Sequence, residues 1–565
     1  MPQSNLRKVA KIEDQATDKV VERIAFRKSK GVGEIELAPS ITHDRRNFER
    51  HLRDAGAILP RDKKATADLL DRVANDEAPK SFLYAARCGW SEGLRTFILP
   101  EDAIGASADG VIGINPVISE GHGTGNRSER GTWKTWRDQV ARPAGQSSIL
   151  MYAISLGFAG PLLGPLHRES RTVVLFGPSR SGKTTATLAA ASVIGVASQA
   201  EMPNWNLTDA RLEQQLPLFN DCLFPIDDFA TLGGKPAEAY QRLRDLAYRL
   251  HQGWGRGRHS SFTSGNTARE QWRVIGLTSS ELSIREFAQA AKRQRQAGES
   301  VRLIDVPMLV DGEQTLFDRA ERPLSRTESV DIIELFTQSI RQNHGAVFRR
   351  QVRNIIKHRH RIKSRLNKKI RGFSECVREE NDGPLARDVA DTFGVAYAAG
   401  AFAIACKLLP WRESDLLDAI RKIYNATKKC LPDEGSALRD GLKSLHSLLK
   451  TIRHSAQLGI HEIDFDKVRG ICKSKRSQRR YLIKNEGFSA IFATLQEKTL
   501  VLNWLCKKGR ITLVGSRQAP REDRKAREQF DWPDGRRRRS FEIRWPRKAV
   551  ERRKGKNKAR ANRAV

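Results

Sequence analysis

A glycine-rich loop with a lysine and a threonine lies near the middle of the chain, and its residue types suit phosphate binding. An apolar run that begins at Thr172 leads into Gly177-Pro-Ser-Arg-Ser-Gly-Lys-Thr184, which has the form G-x-x-x-x-G-K-T. A helix-compatible stretch, Thr185 to Ile194, follows. A phosphate-binding loop requires this order of strand, loop and helix. The sequence therefore predicts a site for a nucleoside triphosphate rather than a chance glycine turn before a helix.

Each part of this loop has a predicted role in holding ATP and Mg²⁺. Glycine at the two ends lets the backbone turn tightly, and the inward N–H groups and the helix dipole then favour phosphate. Lys183 is expected to reach the β- and γ-phosphates, and the Thr184 hydroxyl to bind Mg²⁺. The predicted nucleotide-binding residues are Gly177, Pro178, Ser179, Arg180, Ser181, Gly182, Lys183, Thr184 and Thr185.

Two adjacent aspartates supply the carboxylates that such a site needs. The segment Leu223-Phe-Pro-Ile-Asp-Asp228 predicts a strand that ends in Asp227, the expected Mg²⁺ ligand, and Asp228, the expected group for polarising the attacking water. The more usual pair ends in glutamate, which is one methylene longer. Pro225 removes a backbone donor, which an edge strand tolerates. The alternative interpretation is a strand that simply ends in a polar turn.

A third strand, Arg273 to Leu277, ends in Thr278-Ser-Ser-Glu281. Motor ATPases place a polar residue at the tip of such a strand, where it contacts the γ-phosphate or the attacking water. Thr278 and Ser279 are the candidates, and we favour Ser279. Threonine and serine also end many strands for local reasons.

Several arginines are candidates for a group that reaches the γ-phosphate of a neighbouring subunit and stabilises charge in the transition state. Arg256 and Arg258 lie in a glycine-punctuated loop, and Arg302 precedes another strand-like run. Arg256 and Arg302 are the favoured pair. In so basic a chain, each of them could equally be a solvated charge or a phosphate-backbone contact.

The charge of the chain favours a polyanionic partner. Its 565 residues carry a net charge of +34, with a pI of about 10.2. Nucleic acid is the leading candidate, although a ribosome or an anionic membrane would feel the same field. The seven cysteines form no C-x-x-C pair. Together with the lack of a secretory leader, this predicts a cytoplasmic protein without structural zinc.

Two apolar segments, Ile149 to Leu166 and Phe393 to Leu409, approach the length of a membrane span. Glycines and prolines interrupt the first, and the second is at the short limit. Helices that are apolar all round also form the centres of soluble bundles. We therefore expect core helices and no membrane partner.

The order of these patterns predicts an α/β P-loop NTPase core of the AAA or helicase-like type, with further domains on both sides. The expected divisions are a mixed α/β region over 1–80, a β-rich region over 81–145, the NTPase core over 146–325, a helical domain over 326–455, a winged-helix-like domain over 456–545 and a basic disordered tail over 546–565.

Two segments have the composition of a nucleic-acid contact. Arg349 to Arg371 contains eleven Lys or Arg and no acid, with an apolar residue recurring at near-helical spacing. Such a helix could lie along a phosphate backbone, or could be the solvated face of a bundle helix. In the C-terminal region, an amphipathic stretch from Thr494 to Cys506 precedes runs that could pair as a hairpin, Ile511 to Val514 with Ser540 to Trp545. Arg536 to Arg539 would then lie at a wing.

Several blocks of this sequence resemble the bacterial domain of unknown function 927. They are Cys88-Gly-Trp90 with Leu99-Pro100, the phosphate loop, Asn220 to Asp228, Gly253 to Arg256, the Thr278 to Glu281 turn, Ala297 to Pro307 and Val389 to Ala403. The similarity extends over roughly residues 20–510. It implies a helicase-like, AAA-type ATPase of phage, plasmid and integrated elements, and it supports the fold more strongly than the reaction.

The leading functional prediction is an ATP-driven motor acting on DNA, in the replication or maintenance of a mobile genetic element. A homo-oligomer is expected, in the form of a hexameric ring. One alternative is a nucleotide-gated DNA-binding regulator or loader that unwinds nothing. A small-molecule phosphotransferase is a third, and the length and basic tail of the chain disfavour it.

Overall fold

The computed structural model describes most of the chain, in two compact units, Met1–Leu431 and Pro432–Val565. The described residues are 6–15, 18–105, 110–115, 127–229, 235–255, 271–293, 295, 297–310, 312–380, 382–431, 434–455, 466–474, 478–492, 495–511, 513–514, 525–526, 529–533 and 535–546.

The first unit begins with two small sheets. Their strands are β1 (Arg7–Asp14), β2 (Lys19–Arg27), β3 (Val32–Leu37), β4 (Ser81–Tyr84), β5 (Gly89–Trp90), β6 (Thr96–Ile98), β7 (Ala103–Gly105) and β8 (Val111–Gly113). One sheet has the order β3-β2-β1-β4-β8, and the other has the order β5-β6-β7. The predicted hairpin around Gly31 and the predicted helix that begins at Arg45 are both present.

Three helices connect β3 to β4, and they are α1 (Pro39–Thr42), α2 (Arg45–Asp54) and α3 (Lys63–Asn75). They give the larger sheet its own apolar core, in which Phe26, Phe48 and Leu70 are buried. The smaller sheet packs differently. Phe97 and Ile104 belong to the main core of the unit, so this segment is attached to the central sheet.

The central sheet contains β9 (Arg171–Phe176), β10 (Cys222–Pro225), β11 (Val274–Ser280) and β12 (Leu303–Pro307). Its order is β10-β11-β9-β12, and all neighbouring strands are parallel. Nearly every residue of these strands is buried, as expected for a parallel sheet covered on both faces. The strands can therefore present polar groups to solvent only at their ends. Pro225 is accommodated because β10 is an edge strand.

Short helices surround this sheet. They are α4 (Trp133–Trp136), α5 (Arg142–Ala144), α6 (Ser148–Ala159), α7 (Leu163–Leu166), α8 (Lys183–Ser192), α9 (Asp209–Gln215), α10 (Pro236–Gln252), α11 (Ile284–Ala290) and α12 (Ala297–Ser300). All residues of α6 are buried, so it is a core helix. Among the described residues, Ser148–Leu166 is the one helical stretch long and apolar enough for a membrane span, and 94% of it is buried inside the protein.

Four long helices complete the first unit, and they are α13 (Arg326–Gln342), α14 (Ala346–Val377), α15 (Pro384–Ala405) and α16 (Glu413–Cys430). The apolar stripe predicted between Phe348 and Ile370 is buried along α14. α15 contains most of the second apolar segment, and it packs against α14, α6 and α16. Both apolar segments are thus interior to the helical layer.

The second unit contains α17 (Glu434–Ser455), β13 (Gly470–Ser474), β14 (Gln478–Lys484), α18 (Asn485–Ser489), α19 (Leu495–Lys507), β15 (Leu513–Val514), β16 (Lys525–Ala526), β17 (Gln529–Asp531) and β18 (Arg537–Pro546). Four strands form an antiparallel sheet with the order β13-β14-β18-β17. In place of the predicted hairpin, Ile511 makes a single bridge to Ile543, and β14 and β17 pair with β18. The tail over 547–565 lies outside the described residues.

The division between the units falls at Leu431, whereas the expected helical domain extended to residue 455. α17 belongs to the second unit because its apolar stripe packs into the core of that unit. Leu445, Leu448 and Ile452 are buried there with Phe541 and Ile543. A run of helices in sequence did not reveal this change of partner.

Gly89, at the start of β5, fixes the smaller sheet to the central one. Its φ of +97° lies in the left-handed region, and a Cβ there would lie 2.4 Å from Asn220 Nδ2 and 2.7 Å from Asp221 Oδ2. We expect Gly89→Ala to destabilise the first unit by about 2–5 kcal/mol, because backbone strain and overpacking both contribute. The measurement is the thermal midpoint of unfolding.

Gly56→Ala is the matched control for this substitution. Gly56 has a similar φ of +83°, but a Cβ there would meet nothing within 4 Å. Only the backbone cost of about 1–2 kcal/mol is expected. Equal midpoints for the two variants would show that the contact at Gly89 contributes nothing.

Candidate nucleotide site

The glycine-rich loop connects the carboxyl end of β9 to the amino end of α8. Gly182 caps the helix with a φ of +86°, and no side chain accepts a hydrogen bond from the first turn. The N–H groups of that turn are therefore available to an anion, and the helix dipole favours negative charge there. A Cβ at Gly182 would lie 2.4 Å from Leu316 Cδ2, so space as well as backbone angle selects glycine.

Two further residues of the loop support phosphate binding. The Ser181 hydroxyl is buried and has no hydrogen-bond partner among the described residues. A buried hydroxyl without a partner is costly, and a phosphate oxygen would supply one. Arg180 has a φ of +61°, which is uncommon for a residue other than glycine. Pro178, Ser179 and Arg180 are exposed at the tip of the loop.

Lys183 is folded over the loop that precedes it. Its Nζ donates hydrogen bonds to the carbonyl oxygens of Gly177, at 2.8 Å, and of Pro178, at 2.9 Å. Burial lowers the pKa of Lys183, and the carboxylates of Asp228 and Glu281 act in the opposite direction. The ammonium is thus positioned at the mouth of the loop, in the field of two acids.

The two aspartates lie at the same edge of the sheet as the loop. β11 separates β10 from β9, and all three strands run in parallel, so their carboxyl ends meet at one edge. Ile226 N donates to Leu277 O at 2.8 Å, which extends the pairing of β10 and β11 to within one residue of Asp227. The structure therefore brings Asp227 and Asp228 to the edge occupied by Lys183 and Thr184.

Asp227 is held on both its backbone and its side chain. Its N–H donates to Pro203 O at 2.8 Å, and its carbonyl accepts from the Thr278 hydroxyl at 2.8 Å. Gln199 Nε2 contacts both carboxylate oxygens, at 2.9 and 3.1 Å. An oriented carboxylate at this position is able to bind a cation directly or through water.

The two candidates at the tip of β11 differ in what their hydroxyls do. Thr278 Oγ1 accepts a hydrogen bond from Trp205 Nε1 at 2.9 Å while it donates to Asp227 O. Its hydroxyl is thereby committed to positioning Asp227. The Ser279 hydroxyl has no hydrogen-bond partner within the described part of the chain, which keeps it as the candidate for a phosphate or water contact.

The three candidate arginines are not brought to this site. Arg256 and Arg258 lie outside the described residues. Arg302 precedes β12 at the opposite edge of the sheet, where its Nη1 donates to Gly298 O at 2.6 Å and its guanidinium stacks on the Tyr248 ring at 4.6 Å. A role for any of them at the nucleotide of a neighbouring subunit stays a prediction.

Sequence reasoning missed two groups that position the acid strand. Gln199 lies in a short 3₁₀ turn after α8, and no local pattern links it to Asp227. Asp221, fully buried ahead of β10, accepts two hydrogen bonds from Arg273, at 2.8 and 3.1 Å, and one from Trp90 N at 3.2 Å. Trp90 belongs to the Cys88-Gly-Trp90 block, so that block contacts the base of the acid strand.

Comparison with known proteins identifies a family and a fold. The sequence profile described as Domain of unknown function (DUF927) matches residues 3–271, which confirms the predicted resemblance. No curated protein matches the chain.

The chain is similar over its whole length to a solved structure described as "SCCmec type IV Cch - active helicase". The TM-score is 0.61 at 15% identity, and the match covers 97% of this chain and 95% of that one. At this identity the similarity shows the fold alone, so the chain has a helicase-like fold of mixed α/β sheets and many helices.

Two other solved structures are more distant. A JCV helicase with a bound inhibitor matches with a TM-score of 0.20 at 16% identity, covering 44% of this chain and 66% of that one. The C-terminal region of NrS-1 matches with a TM-score of 0.23 at 10% identity, covering 74% and 91%. Neither superposition is close enough to support an inference.

Thr278→Val tests whether this hydroxyl holds the acid strand in place. The substitution keeps the branched shape but leaves the Trp205 N–H and the Asp227 carbonyl without their partner. We expect a loss of about 1–3 kcal/mol, measured as a lower thermal midpoint. Thr278→Ser keeps the hydroxyl and should retain most of the stability. A valine variant as stable as the wild type would contradict this assignment.

Proposed function

We propose that this chain, which belongs over residues 3–271 to the family described as domain of unknown function 927, is an ATP-driven motor that acts on nucleic acid, with DNA as the favoured substrate. The observation that supports this most directly is the uncapped amino end of α8 beside Lys183, with Asp227 and Asp228 at the same edge of a buried parallel sheet. The predicted roles of individual residues are part of this proposal.

The residues present fit ATP with Mg²⁺. Free N–H groups of the α8 first turn and the buried, unpartnered Ser181 hydroxyl suit phosphate oxygens. Thr184 and Asp227 would hold Mg²⁺, which supplies charge neutralisation at the phosphates. Lys183 would move from the loop carbonyls to the phosphates, Asp228 would orient and polarise water, and Ser279 would contact that water or the γ-phosphate.

Nucleic acid is the substrate that the charge favours. A net charge of +34 attracts polyanions and accelerates their association. The solved structure with the similar fold is itself described as an active helicase, and at 15% identity that activity enters here only as support for a proposal. On the family resemblance, the setting we propose is the cytoplasm, in the replication or maintenance of a mobile genetic element.

A homo-oligomeric ring would explain why arginines are absent from the described site. A γ-phosphate at one subunit would then meet an arginine of the next, and Arg256, Arg258 and Arg302 remain the candidates. A hexamer is the form we propose. Sedimentation of the nucleotide-bound protein tests this, since a monomer under all conditions contradicts it.

We also propose that the second unit is winged-helix-like. α17, α18 and α19 pack beside the antiparallel pair of β14 and β18, and β17 with β18 forms a hairpin rich in arginine. Arg536 and Arg538 contact Asp466, whereas Arg537 and Arg539 are exposed. Alternate residues of a strand face opposite sides, so Arg537 and Arg539 present their charges together. This arrangement suits a wing that contacts phosphates.

The alternative function is a nucleotide-gated DNA-binding regulator or loader. Asp228 favours it, because aspartate is one methylene shorter than the glutamate usual at this position and places its carboxylate farther from the nucleotide. In that case ATP would change DNA affinity without strand separation.

Phosphate release in the presence of Mg·ATP tests the motor proposal. The wild type should hydrolyse ATP, and single- or double-stranded DNA should stimulate it. Lys183→Ala should lower the rate at least about 100-fold, because the charge at the β- and γ-phosphates is lost. Lys63→Ala, at an exposed position on α3, is the control and should leave the rate unchanged.

No hydrolysis by the wild type with any nucleic acid would exclude the motor. ATP-dependent DNA binding without unwinding would select the regulator or loader instead. Equal rates for Lys183→Ala and the wild type would place the reaction elsewhere in the chain.

A further inference from the structure

α14 is a 32-residue helix that the protein holds rigidly along one face. Val352, Ile355, Ile362, Leu366 and Ile370 are all buried, and the helix packs mainly against α15. At about 100° per residue these side chains fall on one side of the helix. Because the protein itself covers this apolar side, the opposite side has a fixed position and faces solvent.

The outward side of α14 is a continuous row of positive charge, which we call the basic stripe. Its members are Arg353, Lys357, Arg361, Arg365, Lys368 and Arg371, all of which are exposed. At the helical repeat they lie within an arc of about 120°, roughly opposite the buried side. Arg353 and Arg371 are separated by 18 residues, so the stripe is about 27 Å long at 1.5 Å per residue.

None of the six has a carboxylate within ion-pair distance among the described residues. Cations flanking the stripe are different. Arg349 pairs with Asp102 and Glu129, and Lys369 pairs with Glu413. Neighbouring like charges on a helix repel each other, which makes an unneutralised row destabilising in the free protein. A polyanion laid along the stripe would relieve that repulsion.

We infer that the basic stripe is a docking surface for duplex DNA, gripped through its phosphates without regard to sequence. This rests on the proposed function for the choice of DNA as polyanion. The stripe is straight and about 27 Å long, comparable to roughly eight base pairs at about 3.4 Å each. Duplex DNA is a stiff rod over this distance, so it matches a rigid helix without bending.

The chemistry of the stripe disfavours other occupants. Single-strand sites combine cations with aromatic side chains on which bases stack. Phe348 and Phe373, the aromatic residues of α14 apart from its histidines, are buried. An amphipathic membrane helix needs an apolar face for the lipid. On α14 that face is already covered by protein.

The test is equilibrium binding of a labelled 20-base-pair duplex, without nucleotide, across a range of salt concentrations. The variant carries Arg353→Gln, Lys357→Gln, Arg361→Gln and Lys368→Gln, and glutamine preserves helix propensity. Each lost phosphate contact reduces the slope of log affinity against log salt by about 0.9. We expect the slope to fall by about 3 and the affinity near 0.1 M salt to fall about 30-fold or more.

The matched control removes the same net charge elsewhere in the first unit. It carries Lys30→Gln, Arg50→Gln, Lys63→Gln and Lys64→Gln, all at exposed positions outside α14. Equal thermal midpoints for the two variants establish that both are folded. The control should bind duplex DNA within about threefold of the wild type, because long-range charge alone contributes weakly once salt screens it.

Two results would overturn the inference. Equal losses in both variants would mean that net charge, not this surface, attracts DNA. A stripe variant that loses affinity for a 20-nucleotide single strand but retains duplex binding would show that the occupant is single-stranded. Because binding is measured without ATP, an enzyme that fails to hydrolyse ATP but passes this test overturns only the proposed motor.

Discussion

The uncapped amino end of α8, held at the carboxyl edge of a sheet buried on both faces, is the constraint on which the rest of the structure depends. Unpaired N–H groups are costly unless water or an anion satisfies them. The strands have no exposed face, so their polar residues are confined to the strand ends. Loop, acids and hydroxyls therefore meet at one edge, where phosphate and Mg²⁺ chemistry becomes feasible.

Much of this site could be predicted because its signals are local. The phosphate loop is contiguous in sequence, and Asp227 and Asp228 follow directly on an apolar strand. The contacts that position them are not local. Gln199 reaches Asp227 from 28 residues away, and Arg273 reaches Asp221 from 52 residues away. A single sequence contains no pattern that pairs such positions, and the choice between Thr278 and Ser279 depended on which hydroxyl was already bonded.

The fold was predictable to a similar extent. The α/β core follows from alternating apolar strands and helices, and the apolar stripe of α14 follows from its helical period. The boundary at Leu431 did not follow, because α17 has the same helical pattern whichever unit covers its apolar side. The apolar segment in α6 likewise has a membrane-like composition, and only its burial by neighbouring helices identifies it as core.

Equilibrium binding of a fluorescent ATP analogue, titrated with Mg²⁺, tests most directly whether loop and acid strand form one site. The comparison is between the wild type and Asp227→Asn, which removes a charge without changing the size of the side chain. The account predicts that Mg²⁺ tightens binding about tenfold or more in the wild type and far less in the variant. An identical Mg²⁺ dependence in the two proteins, or no binding by the wild type, would contradict it.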